Sequence, residues 1–154
     1  MKLYLVQHAK ATSKEVDPRR PLSEQGLAEI QKVAAFVRPL NLHVDRLWHS
    51  GKTRAVQTAD VLAEVIDLTN APVARDDLGP TDDVTAIKNE LSSAAEDIMI
   101  VGHLPFLSKL ASLLLTGSES AGTVAFRNAG VVAISRSEQE QWQTDWIVVP
   151  DILP

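Results

Sequence analysis

The chain reads as an α/β protein, a three-layer sandwich with a mainly parallel central sheet and helices on both faces. Three observations predict this. Two short runs, Lys2–Val6 and Ile98–Val101, are apolar enough to be buried on both faces, as strands of a parallel sheet are. Amphipathic stretches of helical period alternate with such runs along the chain. The 154 residues contain no internal repeat or low-complexity linker, so one domain spanning 1–154 is expected.

Taken in order, Lys2–Val6 is the first strand, and the polar stretch 9–21, with Pro18 and Pro21, is a loop. Ser23 is placed to cap a helix running to about Arg38, where Pro39 ends it. Leu27, Ile30, Ala34 and Val37 fall on one face of that helix. Gly26 in its first turn costs about 1 kcal/mol relative to alanine and marks close packing. Arg46–His49 is a short strand. Thr53–Ile66 follows as a helix, with Val56, Ala59, Leu62 or Ala63, and Ile66 in line. Pro72–Arg75 is read as a short strand. A helix over Asp82–Ser92, capped by Thr81 or Asp82, presents Val84, Ile87 and Leu91. After the strand Ile98–Val101, Leu104–Leu115 forms a helix with Pro105 in its first turn, where proline is tolerated. Leu107, Leu110, Ala111 and Leu114 form its buried face, and Gly117 ends it. Val131–Ser135 and Trp142–Val149 pair as a final hairpin. Trp142 and Trp146 alternate with polar residues there, on a core face or on a contact surface.

Composition narrows the function classes. The chain has no cysteine, which excludes disulfides, thiolate metal sites and cysteine catalysis. Its net charge of −5 is carried without a block of like charge, so nucleic acid and anionic membranes are poor partners. The apolar runs are too short for a signal-peptide core or a membrane span, which points to the cytoplasm.

In sheets of this class, ligands bind beyond the carboxyl ends of the strands. His8, Ser50 and His103 all lie just past the ends of expected strands, and Arg54 lies in the first turn of a helix. A neutral imidazole is a good nucleophile towards phosphorus near pH 7. Charge spread over phosphoryl oxygens calls for positioned cations and backbone N–H groups, which Arg54 and helix N-termini supply. Arg20, on the loop after the first strand, is within reach of the same edge. Taken singly, each residue reads as structure: His8 and His103 as satisfied strand-end histidines, Arg54 as a surface helix residue, and Arg19 with Arg20 as a solvated loop pair. Their convergence on one sheet edge is what recommends them. No His-x-x-His, His-x-x-x-His or Glu-His pairing falls on one helical face, so no metal and no cofactor are expected. No Gly-x-Ser-x-Gly, Walker or Gly-x-Gly-x-x-Gly pattern is present either.

Four segments, in order, resemble the histidine phosphatase superfamily, which includes the phosphoglycerate mutases, and most closely its SixA-like phosphohistidine phosphatase branch. Leu5-Val6-Gln7-His8-Ala9-Lys10-Ala11 resembles the Arg-His-Gly or Arg-His-Ala signature. Arg20-Pro21-Leu22-Ser23-Glu24-Gln25-Gly26 resembles the Arg-Pro-Leu-Ser/Thr-x-x-Gly segment. Ser50-x-x-x-Arg54-Ala55-x-Gln57-Thr58 resembles the second-arginine helix. Val101-Gly102-His103-Leu104-Pro105 resembles the second-histidine segment. The resemblance implies a phosphoglycerate mutase-like fold and a metal-independent phosphatase acting on a phosphorylated protein or small phosphorylated substrate. His8 would be the nucleophile, Arg54 and His103 would hold the phosphoryl oxygens, and Arg20 would assist at the rim.

Two positions depart from the family pattern. Gln7 stands where the family has an arginine, and losing one charge-assisted bond costs about 1.5–3 kcal/mol, roughly a tenfold to hundredfold penalty. Arg20 or Lys10 could compensate, and a Gln7 amide still donates to a phosphate oxygen. The alternative is a phosphate- or phosphoprotein-binding module without turnover. Many members also carry an acid before the third helix. Here Asp82 or Asp83 could take that place, whereas the small branch typically lacks the acid, which favours a phosphoramidate substrate such as phosphohistidine.

Overall fold

The computed structural model describes residues 1–154. The elements follow as β1 (Lys2–Gln7), α1 (Glu24–Val37), β2 (His43–Val44), β3 (Arg46–His49), α2 (Thr53–Ala63), β4 (Asp67–Leu68) and β5 (Val73–Ala74). Then come α3 (Thr85–Ser93), β6 (Ile98–Gly102), α4 (Phe106–Thr116), β7 (Val131–Arg136) and β8 (Trp142–Val148). The main sheet runs β5-β3-β6-β1-β7-β8, and only β7 opposes the direction of the others. β1 and β6 lie at its centre, with Leu3 opposite Ile98 and Gln7 opposite Gly102.

Side-chain alternation along the strands divides the core into two layers, as the pleat requires. Tyr4, Val6, Leu47, Met99, Val101, Val131 and Ala133 turn to one face and meet Ile30, Val33, Val37, Ala55, Ala59 and Leu62 of α1 and α2. Leu3, Leu5, Trp48, Ile98, Ile100, Val132 and Ile134 turn to the other and meet Ile87, Leu91, Phe106, Leu107 and Leu110 of α3 and α4. The result is the expected α/β sandwich with helices on both faces. No helix is long and apolar enough to cross a membrane.

Several expected details shift. Leu27 is 43% exposed, and Gly26 takes the inward place with Ile30, Val33, Ala34 and Val37. Ser23 caps α1 as expected, its Oγ accepting from the Gly26 N–H at 3.0 Å. Pro39 sits inside a 3-10 turn, Arg38–Leu40, that prolongs α1 until Asn41 adopts a left-handed conformation. The second helix stops at Ala63 rather than Ile66, and buries Ala55, Thr58, Ala59 and Leu62 rather than a line through Val56. The third starts at Thr85 because Asp82 and Asp83 spend their carboxylates on turn N–H groups, of Gly79 at 2.7 Å and Thr85 at 2.9 Å. Gly117 ends α4 with φ of 81°, the conformation that favours glycine. β8 ends at Val148, and its pairing with β7 is interrupted at Asp145, which lies between Thr144 and Trp146 without a partner in the register. β2 and β4 form a separate two-stranded sheet with no counterpart in the sequence reading.

Candidate active site

Parallel order brings the carboxyl ends of β1, β3 and β6 to one edge, and the residues just beyond them share it. The His8 N–H donates to the Gly102 carbonyl at 3.0 Å, continuing the β1–β6 ladder past Gln7. The His8 carbonyl accepts from Asn128 Nδ2 at 2.8 Å, and the Ala129 N–H donates to the Gln7 carbonyl at 3.0 Å. On the other side, the Ala9 N–H donates to Thr58 Oγ1 at 3.0 Å, while the Thr58 hydroxyl donates to the Arg54 carbonyl at 2.7 Å. The backbone around His8 is thus tied to β6, to α2 and to the turn before β7.

The His8 ring is oriented as firmly. Its Nδ1 lies 2.7 Å from the Ala9 carbonyl. A carbonyl only accepts, so Nδ1 carries the proton and Nε2 holds a free lone pair. The His103 ring stands with its centroid 4.9 Å from that of His8. His103 is buried, and its Nε2 lies 2.6 Å from Ser50 Oγ. Arg54 is in the first turn of α2, half-buried, with its Nε buried and unpartnered. Arg20 adopts a left-handed backbone, φ 50°, and its Nε donates to the Thr12 carbonyl at 3.2 Å.

The electrostatics are those of an anion site. Burial lowers the pKa of His8, and Arg54 and Arg20 lower it further against the bond to Ala9. Burial, then His8, Arg54, Lys52 and Arg20, push His103 down to about 3. Burial and Arg20 lower Arg54. Both imidazoles are therefore neutral at pH 7, and the charges acting on them are all cationic. Asp82 and Asp83 are not among those charges.

Of the residues expected at the site, His8, His103, Arg54 and Arg20 come together. Gln7 is beside them, half-buried, with its Oε1 buried and unpartnered. Lys10 does not join: its Nζ pairs with Glu29 of α1 at 3.2 Å, because the chain turns away to meet that helix directly after Ala9. Ser50, Lys52, Thr58 and Asn128 also serve the site. The first three sit within the second-arginine segment, whereas nothing in the local pattern marks Asn128. No group of three or more His, Asp or Glu side chains is arranged to hold a metal ion.

The sheet edge thus gathers two neutral imidazoles under cationic side chains, with no carboxylate acting on them. Residues 3–78 match the family model for the histidine phosphatase superfamily (branch 1). The chain is 21% identical to phosphohistidine phosphatase SixA of Escherichia coli strain K12 over 97% of its own length and 94% of that relative. Its fold superposes on a solved structure of the protein histidine phosphatase SixA complexed with tungstate, with a TM-score of 0.84, 21% identity and 98% coverage of both chains. The alpha-ribazole phosphatase of Shigella flexneri gives a TM-score of 0.75 at 15% identity, with 97% of both chains covered. The chain belongs to the histidine phosphatase superfamily and is SixA-like. That membership supports a phosphatase, a hydrolase of phosphorylated substrates.

Proposed function

We propose that this chain is a metal-independent phosphatase in which His8 Nε2 attacks phosphorus, and that its substrate is phosphohistidine on a signalling protein. The observation that carries the reading is the Nδ1–H bond from His8 to the Ala9 carbonyl, which leaves the Nε2 lone pair free beside Arg54 and His103. In the first step an Nε2–P bond forms as the substrate P–N bond breaks, and the departing imidazole nitrogen takes a proton. Water then cleaves the phosphohistidine intermediate, releasing phosphate and restoring His8. Arg54 and Arg20 stabilise the charge on the phosphoryl oxygens, and His103 completes the pocket.

One further observation supports the substrate class. Asp82 and Asp83 are engaged in turns, and neither is among the charges acting on His8 and His103. A phosphoramidate nitrogen protonates more readily than an ester oxygen and has less need of an enzyme acid.

Gln7 supports a second reading, a phosphate- or phosphoprotein-binding module without turnover, since it removes one cation from the site. A metal-free assay on an aryl phosphate and a phosphoramidate, comparing the unaltered chain with His8→Ala and Gln7→Arg, separates the two. A phosphatase loses turnover with His8→Ala and gains about 10- to 100-fold in kcat/KM with Gln7→Arg. Turnover that survives His8→Ala overturns the nucleophile assignment. Binding without turnover, with activity appearing only in Gln7→Arg, establishes the second reading instead.

A further inference from the structure

The peptide that joins His8 to Ala9 is held at both of its polar ends by side chains from other elements. Its carbonyl accepts from Asn128 Nδ2 at 2.8 Å, and its N–H donates to Thr58 Oγ1 at 3.0 Å. A backbone N–H only donates and a carbonyl only accepts. The Thr58 oxygen therefore accepts from Ala9, and its hydrogen goes to the Arg54 carbonyl, 2.7 Å away. Thr58 is fully buried, one helical turn beyond Arg54 on α2. The helix ladder already serves that carbonyl, so α2 needs no hydroxyl here. What the hydroxyl adds is a link between the Arg54 backbone and the backbone beside His8. The Ala9 carbonyl takes the His8 Nδ1–H at 2.7 Å, so a rotation of the pinned peptide either carries the imidazole with it or breaks that bond. On the other side, Ala129 is buried with φ of 63°, a left-handed backbone that a residue with a Cβ adopts only at a cost. Its N–H lies 3.0 Å from the Gln7 carbonyl and 3.4 Å from the His8 carbonyl. A strained turn and a buried hydroxyl thus converge on one peptide.

We propose that Thr58 and Asn128 are positioning residues that clamp the His8–Ala9 peptide, so that the imidazole keeps its Nδ1–H bond and presents Nε2 beside Arg54. This rests on the reading of His8 as the nucleophile. Thr58 sets the spacing between that imidazole and Arg54, because one hydroxyl is bonded to both backbones. Asn128 fixes the opposite end of the peptide. Neither residue touches the substrate. Their loss leaves the guanidiniums free to bind a phosphoryl group but lets the attacking nitrogen drift, so the effect falls on the chemical step rather than on binding.

The test compares the unaltered chain with Thr58→Val, which keeps the shape without the hydroxyl, Thr58→Ser, which keeps the hydroxyl, and Asn128→Ala. Each is assayed metal-free on a phosphoramidate, well below its own Tm. Thr58→Val and Asn128→Ala are each expected to lower kcat about 10- to 100-fold, as a misplacement of up to about 1 Å would, with KM changed by less than about threefold. Thr58→Ser restores most of kcat. In 15N spectra, His8 of the unaltered chain is a single Nδ1–H tautomer, and Thr58→Val and Asn128→Ala give a tautomer mixture. A purely structural role would lower Tm and move neither kcat nor the His8 spectrum. The Ala9 amide of the unaltered chain should also exchange slowly with solvent, a readout independent of any variant's folding. A kcat within about twofold of the parent in Thr58→Val or Asn128→Ala, an unchanged His8 spectrum in both, or fast exchange at Ala9 overturns the proposal. An unaltered chain without turnover would count against the phosphatase reading alone, since the His8 spectra and Ala9 exchange still decide the clamp.

Discussion

Replacing Gly26 with alanine tests how the nucleophile is held from a distance. Gly26 lies buried in the first turn of α1, where the helix crosses the chain just beyond His8. A Cβ added there would stand 2.0 Å from the Lys10 carbonyl oxygen, 2.8 Å from its carbon and 2.9 Å from the Lys10 nitrogen. All three are backbone atoms, and the carbonyl already accepts from the Ser23 N–H at 3.0 Å and the Ser23 hydroxyl at 3.2 Å. Relief needs a shift of about 1.5 Å, since close-packed atoms sit roughly 3.5–4 Å apart. One residue back, the Ala9 carbonyl fixes the His8 tautomer at 2.7 Å. On helix propensity alone the substitution would gain about 1 kcal/mol. Overpacking costs about 1–3 kcal/mol, and strained cap bonds about 1 kcal/mol more. The net expectation is destabilisation by about 1–3 kcal/mol, a fall in Tm of roughly 2–12 °C. A misplacement near 1 Å also costs about 100-fold in rate. Calorimetry and the metal-free assay read the two effects separately. A Gly26→Ala protein as stable as the parent, with unchanged kcat/KM, would refute the packing and positioning argument together.

Two predictions concern pH. Because burial and the neighbouring guanidiniums lower the pKa of His8, and His103 is pushed down to about 3, the pair stays neutral below the ordinary histidine range. The acid limb of kcat/KM should therefore lie below pH 6.5, measured with a substrate whose own titration is known; a limb at or above that value contradicts the neutral-nucleophile mechanism. Elsewhere, His43 bridges Asp67 at 3.0 Å and Asp45 at 3.1 Å, and these bonds raise its pKa, the one to Asp67 most. Its contribution to stability is complete below its unfolded pKa of about 6.5 and is lost as pH rises through the higher folded value. The Tm difference between the parent and His43→Gln should thus shrink from pH 6 to pH 9; a difference that is flat or grows with pH contradicts it.

The two buried central strands and the helix faces were legible in the sequence because their signals are redundant. Lys2–Val6 and Ile98–Val101 are apolar on both faces, and a parallel sheet needs that. What was lost had no such redundancy. β2 and β4 are two residues each, too short to show a period. Leu27 and Gly26 differ by one helical position, and hydropathy favoured the leucine. Contact with Lys10 decided for the glycine, because only a residue without a Cβ fits between α1 and that backbone. The third helix began late because a carboxylate can serve a turn as well as a cap, and spacing does not distinguish the two.

The site was legible to the same depth. His8, Arg54 and His103 are marked by position, each just beyond a strand or at a helix start, and strand order alone brings such positions to one edge. Lys10 looks equivalent in sequence, two residues from His8. Once β1 ends, however, the chain answers to α1, and the ammonium finds Glu29 before it can find a phosphate. With Gln7 contributing no charge and Lys10 engaged by Glu29, the guanidiniums that act on His8 are those of Arg54 and Arg20.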